Sequence, residues 1–298
     1  MSDTVPSIPL SFGLQTVQTW TWPETKERWQ WFESLGYQSL WLPDHFVPTA
    51  SPEGPMFEAW TLLSALATFT ERVRIGVLVS SNTFRHPAML AKQAVTVDHV
   101  SNGRLELGVG AGWYVNEHQM FGLDFPSTGE LVDRYAEALD LLDRYLGNDI
   151  TSFEGEYYTL RDAYNRPAAI QSPRPPLMIG AHGPRMIRLA AKYADTWNSR
   201  GTPEEMRERN QLMDRALLAN GRQPTDVKRS MLFVPPMMPN EHPWDSIDAF
   251  TDFVGRFSEA GVHDFILQTP AVEDFAIVER VAVDVLPGLR ARSASFAD

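Results

Sequence analysis

The sequence predicts a (β/α)8 barrel with an insertion, and three observations carry the prediction. Short β-rich runs alternate with longer helical patterns eight times along 298 residues. Strands separated by helices run parallel, because each crossover returns the chain to the same edge. A barrel of this kind takes about 250 residues, so residues 1–298 read as one domain rather than two. An open doubly wound sheet satisfies the same alternation and remains the structural alternative.

The first strand spans 10–16. A helix follows over 23–35, with Thr21 or Trp22 near its cap, Pro23 in its first turn and Gly36 closing it. Strand two is 38–43 and helix two 58–69. Strand three, 73–80, precedes helix three at 87–100. Asn102 and Gly103 turn the chain into strand four, 104–109. Helix four, 129–146, is amphipathic, with Leu131, Tyr135, Leu139 and Leu142 on one face. The alternation then breaks. Residues 147–176 hold FEGEYYTL and the prolines 167, 173, 175 and 176, which predict a hairpin-like insertion plus an extended segment. Strands five to eight follow at 177–181, 195–198, 230–234 and 264–268, with helices at 184–193, 203–220, 244–260 and 272–286.

Composition excludes several classes of partner. Twenty-six basic against 38 acidic residues give −12, and the four lysines (Lys26, Lys92, Lys192, Lys228) form no run. Nucleic acid and anionic membrane are therefore not expected, since phosphate binding needs clustered cations. Cysteine is absent, so there is no disulfide, cysteine nucleophile or thiolate metal site. The polar start, Met1 to Pro9, lacks a signal-peptide layout, and no run reaches the ~20 apolar residues of a spanning helix. The expectation is a soluble, cytoplasmic protein.

In a barrel the site lies at the C-terminal ends of the strands. Strand two ends in Asp44-His45, a carboxylate beside an imidazole, which suits acid/base work; the carboxylate fixes the tautomer of the ring. Equally, Asp44 caps a turn and His45 packs. Strand three runs into Ser80-Ser81-Asn82-Thr83, a polar floor or an ordinary capped turn. Strand four ends in Gly108-Val109-Gly110-Ala111-Gly112-Trp113, where glycine lets a flat group approach the backbone. It is no dinucleotide fingerprint, because Trp113 stands at the third glycine position. Asn116, Glu117 and His118 follow as hydrogen-bonding candidates. Strand five ends in Gly180-Ala181-His182-Gly183-Pro184-Arg185, a helix start suited to a phosphate, with Arg185 adding charge. No serine-hydrolase elbow, P-loop or H-E-x-x-H is present. No H-x-H ends strand one, so no metal is expected, although His45, His118 and His182 are all placed to reach the mouth and leave a metal open.

These blocks resemble, in order, the bacterial-luciferase-like oxidoreductases: Phe12-Gly13-Leu14, residues 40–46 (LWLPDHF), residues 81–87 (SNTFRHP), residues 103–113 (GRLELGVGAGW) and residues 178–183 (MIGAHG). More narrowly, they are similar to the branch that uses the deazaflavin coenzyme F420; members that use FMN share the barrel. The resemblance implies a dimeric TIM barrel that transfers hydride at C5 of F420, or at N5 of FMN in the alternative, an FMNH2-dependent monooxygenase. Asp44 matches a cofactor-contacting acid and His45 the active-site histidine. Leu78-Val79 falls where F420 members carry a cis peptide behind the ring. Ser81 matches a hydroxyl contact, and Ala111, Gly112 and Asn116 line the cofactor. Gly180, Ala181, His182, Gly183, Arg185 and Met186 match the phosphate and side-chain region.

Two departures bear on substrate. Trp113 stands where sugar-phosphate dehydrogenases of this branch have an acidic proton donor, and their phosphate-holding lysines have no counterpart. Trp20, Trp22, Trp60, Trp113, Tyr114 and Trp197 point instead to an apolar or aromatic substrate, or to packing. Arg85, Arg185 and Arg200 are the candidates to meet the polyanionic coenzyme tail, with Arg200 also a candidate for an anionic substrate group. A non-catalytic carrier and a metal-dependent hydrolase on the same barrel are the rivals from other classes.

Overall fold

A computed structural model describes residues 9–294. All but the last residue of the polar start therefore lies outside the described residues. The chain runs β1 (Ser11–Gln15), α1 (Trp22–Ser34), β2 (Ser39–Leu42), α2 (Ala59–Leu66), β3 (Arg74–Val77), β4 (Ser80–Ser81), α3 (Pro87–Val100) and β5 (Leu105–Gly110). Then come α4 (Val115–Phe121), α5 (Thr128–Gly147), the hairpin β6 (Ile150–Glu154) and β7 (Thr159–Tyr164), β8 (Leu177–Gly180), α6 (Pro184–Tyr193), β9 (Thr196–Ser199) and α7 (Pro203–Ala219). It ends with β10 (Lys228–Phe233), α8 (Ile247–Glu259), β11 (Asp264–Gln268), α9 (Phe275–Arg280) and α10 (Leu286–Ala294).

The order β2-β1-β11-β10-β9-β8-β5 closes through β3, which pairs with both β2 and β5. All these pairs are parallel, so the sheet is the expected eight-stranded (β/α)8 barrel and not an open doubly wound sheet. Leu14 sits beside Leu40 on one side and Leu267 on the other. The main core lies between strands and helices, with Trp29, Phe32, Trp60, Phe253 and Phe265 fully buried. Inside the barrel, Trp41, Leu78, Met178, Leu232 and Ile266 form a separate apolar plug. That plug is the floor on which the site rests.

Besides end shifts of up to three residues and the unexpected helix α4, four departures from the sequence expectation have a physical reason. The third strand is not continuous; it breaks at a cis Leu78-Val79 peptide and resumes as β4 against β5. Helix two begins at Ala59 because the Glu58 side chain accepts from the Trp60 and Thr61 N–H groups. The helix expected at 244–260, α8, begins at Ile247 because Ser246 caps it, accepting from the Ala249 N–H. Trp244 lies outside that helix and donates to the Gln268 carbonyl. The last helix passes 286 through a π-helical stretch, Val281–Val285. The wider turn accommodates Pro287, which lacks an N–H and crowds the carbonyl four residues back in a regular helix. Within 147–176 the antiparallel β6–β7 pair is the hairpin read from the sequence.

Candidate active site

At the C-terminal mouth of the barrel lies a cavity of about 530 Å³, lined from β1, the β2 end, the β4 loop, the β5 end, the β8 and β9 ends and the loop after β10. This is within the range of a small-molecule or cofactor site. Asp44, His45, Val79, Ser81, Ala111 and Gly112 line it from one side. Gly180, Ala181, His182, Gly183, Met186 and Arg200 line it from the other, and Trp113 stands at the mouth, half exposed. The structure does not bring Asn116 or Arg185 to the cavity. Asn116 is on the exposed face of α4, and Arg185 is exposed and pairs with Asp133 on α5. The residue before Glu117 points elsewhere because a helix, not a loop, follows Trp113. Arg185, on the first turn of α6, finds its carboxylate on the neighbouring helix.

Asp44 and His45 diverge, against the expectation that one orients the other. The Asp44 carboxylate accepts from Arg85 at 2.6 and 2.9 Å and from the Ser81 N–H at 2.7 Å. It therefore ties the β4 loop to the end of β2. His45 Nδ1 instead meets Glu117 Oε2 at 2.9 Å. The Glu117 side chain is fully buried, and its Oε1 accepts from the Phe46 and Val47 N–H groups. Burial pushes this carboxyl up, but the hydrogen bonds from His45, Phe46 and Val47 outweigh it and hold the group below the ordinary carboxylate range. No protein group bonds to Nε2 of His45 among the described residues.

The floor has a specific construction. Gln15 donates its amide to the Leu78 carbonyl at 3.0 Å, supporting the cis peptide from inside the barrel. The glycines of β5 serve this neighbour before they serve a ligand. A Cβ at Gly108 would lie 2.1 Å from the Val77 carbonyl oxygen, and one at Gly110 would lie 2.6 Å from Val79 Cγ2. Gly112, at φ +95°, closes on the hydroxyls of Ser81 and Thr83. Those hydroxyls form a relay: Ser81 Oγ to Thr83 Oγ1 at 2.7 Å, and Thr83 Oγ1 to His118 Nε2 at 2.6 Å. His118 Nδ1 faces the Tyr114 carbonyl at 2.8 Å and so carries the proton. In the neutral ring Nε2 then accepts from Thr83, Thr83 accepts from Ser81, and Ser81 keeps only lone pairs for the cavity.

On the far side, His182 Nδ1 meets Ser199 Oγ at 2.9 Å. Burial, together with the charges of Arg200 and Arg209, pushes His182 down to about 3, so it is a neutral hydrogen-bonding group. Three arginines were candidates for an anion. Arg85 is taken by Asp44 and lies 3.5 Å from Glu58, and Arg185 is taken by Asp133. Arg200 lines the cavity, and no carboxylate pairs with it among the described residues. The first turn of α6, capped by Gly183 without a side-chain bond, opens beside it. Of the aromatic candidates, Trp60 and Trp197 are buried, Trp20 packs on Phe275 and Trp22 on Phe69. Only Trp113 and Tyr114 reach the cavity, with ring centroids 5.6 and 5.9 Å from His45.

The family model described as luciferase-like monooxygenase matches residues 8–254. The chain belongs to this family. Relatives of this luciferase-like chain include F420-dependent glucose-6-phosphate dehydrogenases of Microbacterium testaceum and Amycolatopsis mediterranei. They are 35% and 38% identical over 63% and 55% of this chain, and 56% and 49% of those proteins. The chain thus matches about half the length of these relatives. An F420-dependent secondary alcohol dehydrogenase, solved in complex with an F420-acetone adduct, superposes with a TM-score of 0.82 at 21% identity, over 94% of this chain and 99% of that one. That likeness establishes the shared barrel.

Three pairings in this luciferase-like site are not legible in the local sequence. Glu117 was a possible ligand contact rather than the partner of His45, and Gln15 and the Ser81–Thr83–His118 relay went unseen. The signals for α4 were an acidic residue in a first turn and Gly122 as a left-handed stop, φ +66°.

Proposed function

We propose that this chain is a coenzyme F420-dependent oxidoreductase that transfers hydride between the deazaflavin and an apolar or aromatic organic substrate. The observation that carries the reading is His45, which lines an apolar-floored cavity with its Nδ1 held by Glu117 and its Nε2 unbonded among the described residues. The named activities of the curated relatives support it.

The residues present fit such a coenzyme. Val79, Ser81, Gly112 and Ala181 would hold the ring over the plug, and Arg200, with no carboxylate partner among the described residues, would receive the phosphate and acidic tail together with His182, Gly183 and Met186. When bound, F420 supplies a carbon that takes or gives hydride. The protein orients the substrate, excludes water and moves the proton at Nε2 of His45. Asp44 acts by anchoring the Ser81 loop rather than by touching His45.

An apolar substrate is supported by Val17, Met56, Trp113, Val234 and Met237 on the outer wall of the cavity. None of the lysines lines it: Lys92 bonds to the Arg166 carbonyl, Lys192 to Tyr193 and Lys228 to Asp264. A phosphorylated sugar would therefore compete with the coenzyme tail for Arg200.

The test is anaerobic titration of the protein with reduced F420, followed by fluorescence quenching. Binding at micromolar coenzyme is expected. His45→Ala should retain that binding and lose turnover by about 10²-fold or more. Absence of binding overturns the reading. Retention of FMN, with oxygen consumption on supply of reduced flavin, assigns the chain to the monooxygenase chemistry instead.

A further inference from the structure

We propose that Glu117 is the positioning residue that sets the tautomer of His45, keeping the ring proton on Nδ1 and turning Nε2 to the substrate as the proton-accepting atom. The inference rests on the proton-transfer role given above to His45.

The geometry leaves one arrangement. An ionised carboxylate accepts and cannot donate. Glu117 Oε1 is used by two backbone N–H groups, those of Phe46 and Val47, which stop the carboxylate from rotating. Oε2 is thereby aimed at Nδ1, 2.9 Å away, and Nδ1 must donate. Phe46 and Val47 directly follow His45, so the carboxylate grips both the ring and the backbone that carries it. The edges of Trp113 and Tyr114 confine the ring from the side.

The other charged groups near the ring are committed or distant in role. Asp44, on the same loop, is neutralised by Arg85. Across the cavity His182 is uncharged and Arg200 is cationic. Glu117 is thus the carboxylate that stabilises the positive charge His45 takes on with a proton. In the oxidative direction the coenzyme, when bound, would supply the acceptor for the hydride that the substrate C–H bond gives up. The O–H or N–H proton on the adjoining atom passes to Nε2, and the electrons of that bond complete the new double bond. The reverse direction returns the proton from Nε2.

Glu117→Gln separates positioning from packing, because it is nearly isosteric. Its amide oxygen continues to accept from Phe46 and Val47, so its NH2 group faces Nδ1, which must then accept. The proton moves to Nε2. Ring-nitrogen ¹⁵N spectra of labelled protein read this without coenzyme or substrate, with His45 assigned by its loss in His45→Ala. Wild type should show Nδ1–H and Glu117→Gln should show Nε2–H at an unchanged thermal midpoint. With F420 bound, kcat/KM should fall about 10²-fold or more while coenzyme binding is retained. A wild-type His45 protonated on Nε2 overturns the proposal even where the variant does not fold. So does a folded Glu117→Gln that keeps Nδ1–H. Failure of the coenzyme assignment reads differently: F420 does not bind, and the tautomers are as described.

Discussion

Arg85 grips both carboxylate oxygens of Asp44, at 2.6 and 2.9 Å, with the two side chains 11% and 2% exposed. The pair stitches the start of the α3 unit to the end of β2. Removing one partner of a buried pair leaves an uncompensated charge, at a cost of about 3–5 kcal/mol. Arg85→Met is therefore expected to lower stability by that amount in denaturant unfolding. The His45 tautomer should not change. A loss below about 1 kcal/mol would show that the pair behaves as a solvated surface bridge.

Arg200 has the opposite character, a cavity cation without a carboxylate partner among the described residues. Arg200→Leu should leave the unfolding midpoint unchanged or raise it. It should weaken F420 binding by about tenfold, or about 1.4 kcal/mol, and flatten the salt dependence of binding. Fluorescence titration at two ionic strengths checks both. Unchanged affinity would remove Arg200 from the anion site.

His182 gives a pH signature. Its folded value is pushed down to about 3 from an ordinary 6.5 by burial and by the Arg200 and Arg209 charges. Above pH 6.5 the ring is neutral in both states. Below it the unfolded chain takes up a proton that the native state refuses, so stability is lost as pH falls from 6.5 toward 3. His86 and His263, also lowered by burial, add to the same window. His182→Asn should make the fall in unfolding free energy between pH 6.5 and 5 shallower. An equally steep fall in the variant would show that His182 ionises normally.

The β5 glycines should separate by the nature of the atom they avoid. A Cβ at Gly110 meets the end of a side chain, Val79 Cγ2, whereas one at Gly108 meets a backbone oxygen of β3. Gly110→Ala is expected to cost about 1–3 kcal/mol by overpacking, and Val79→Ala should recover most of it. Gly108→Ala should cost more and find no such rescue. Thermal midpoints of the single and double variants decide this.

Local pattern carried most of the fold. Helix three, 87–100, helix five, 184–193, and the last strand, 264–268, stand where periodicity and proline or glycine punctuation placed them. Errors fell at local caps, where Ser246 and Glu58 set the helix starts, and at the continuity of the third strand; the cis Leu78-Val79 peptide itself stands where the resemblance placed it. The site was legible as a set of strand ends, because a parallel barrel must gather those ends at one mouth.

By itself, the sequence determined the eight-fold alternation, the insertion and the segments that meet at the mouth, since hydrophobic period and turn chemistry act over a few neighbouring residues. Tertiary structure alone decided the pairings within the mouth. Asp44 went to Arg85, and His45 to Glu117, 72 residues away. A buried charge must find a partner of opposite sign in space, and chain separation has no bearing on which one lies within hydrogen-bonding distance.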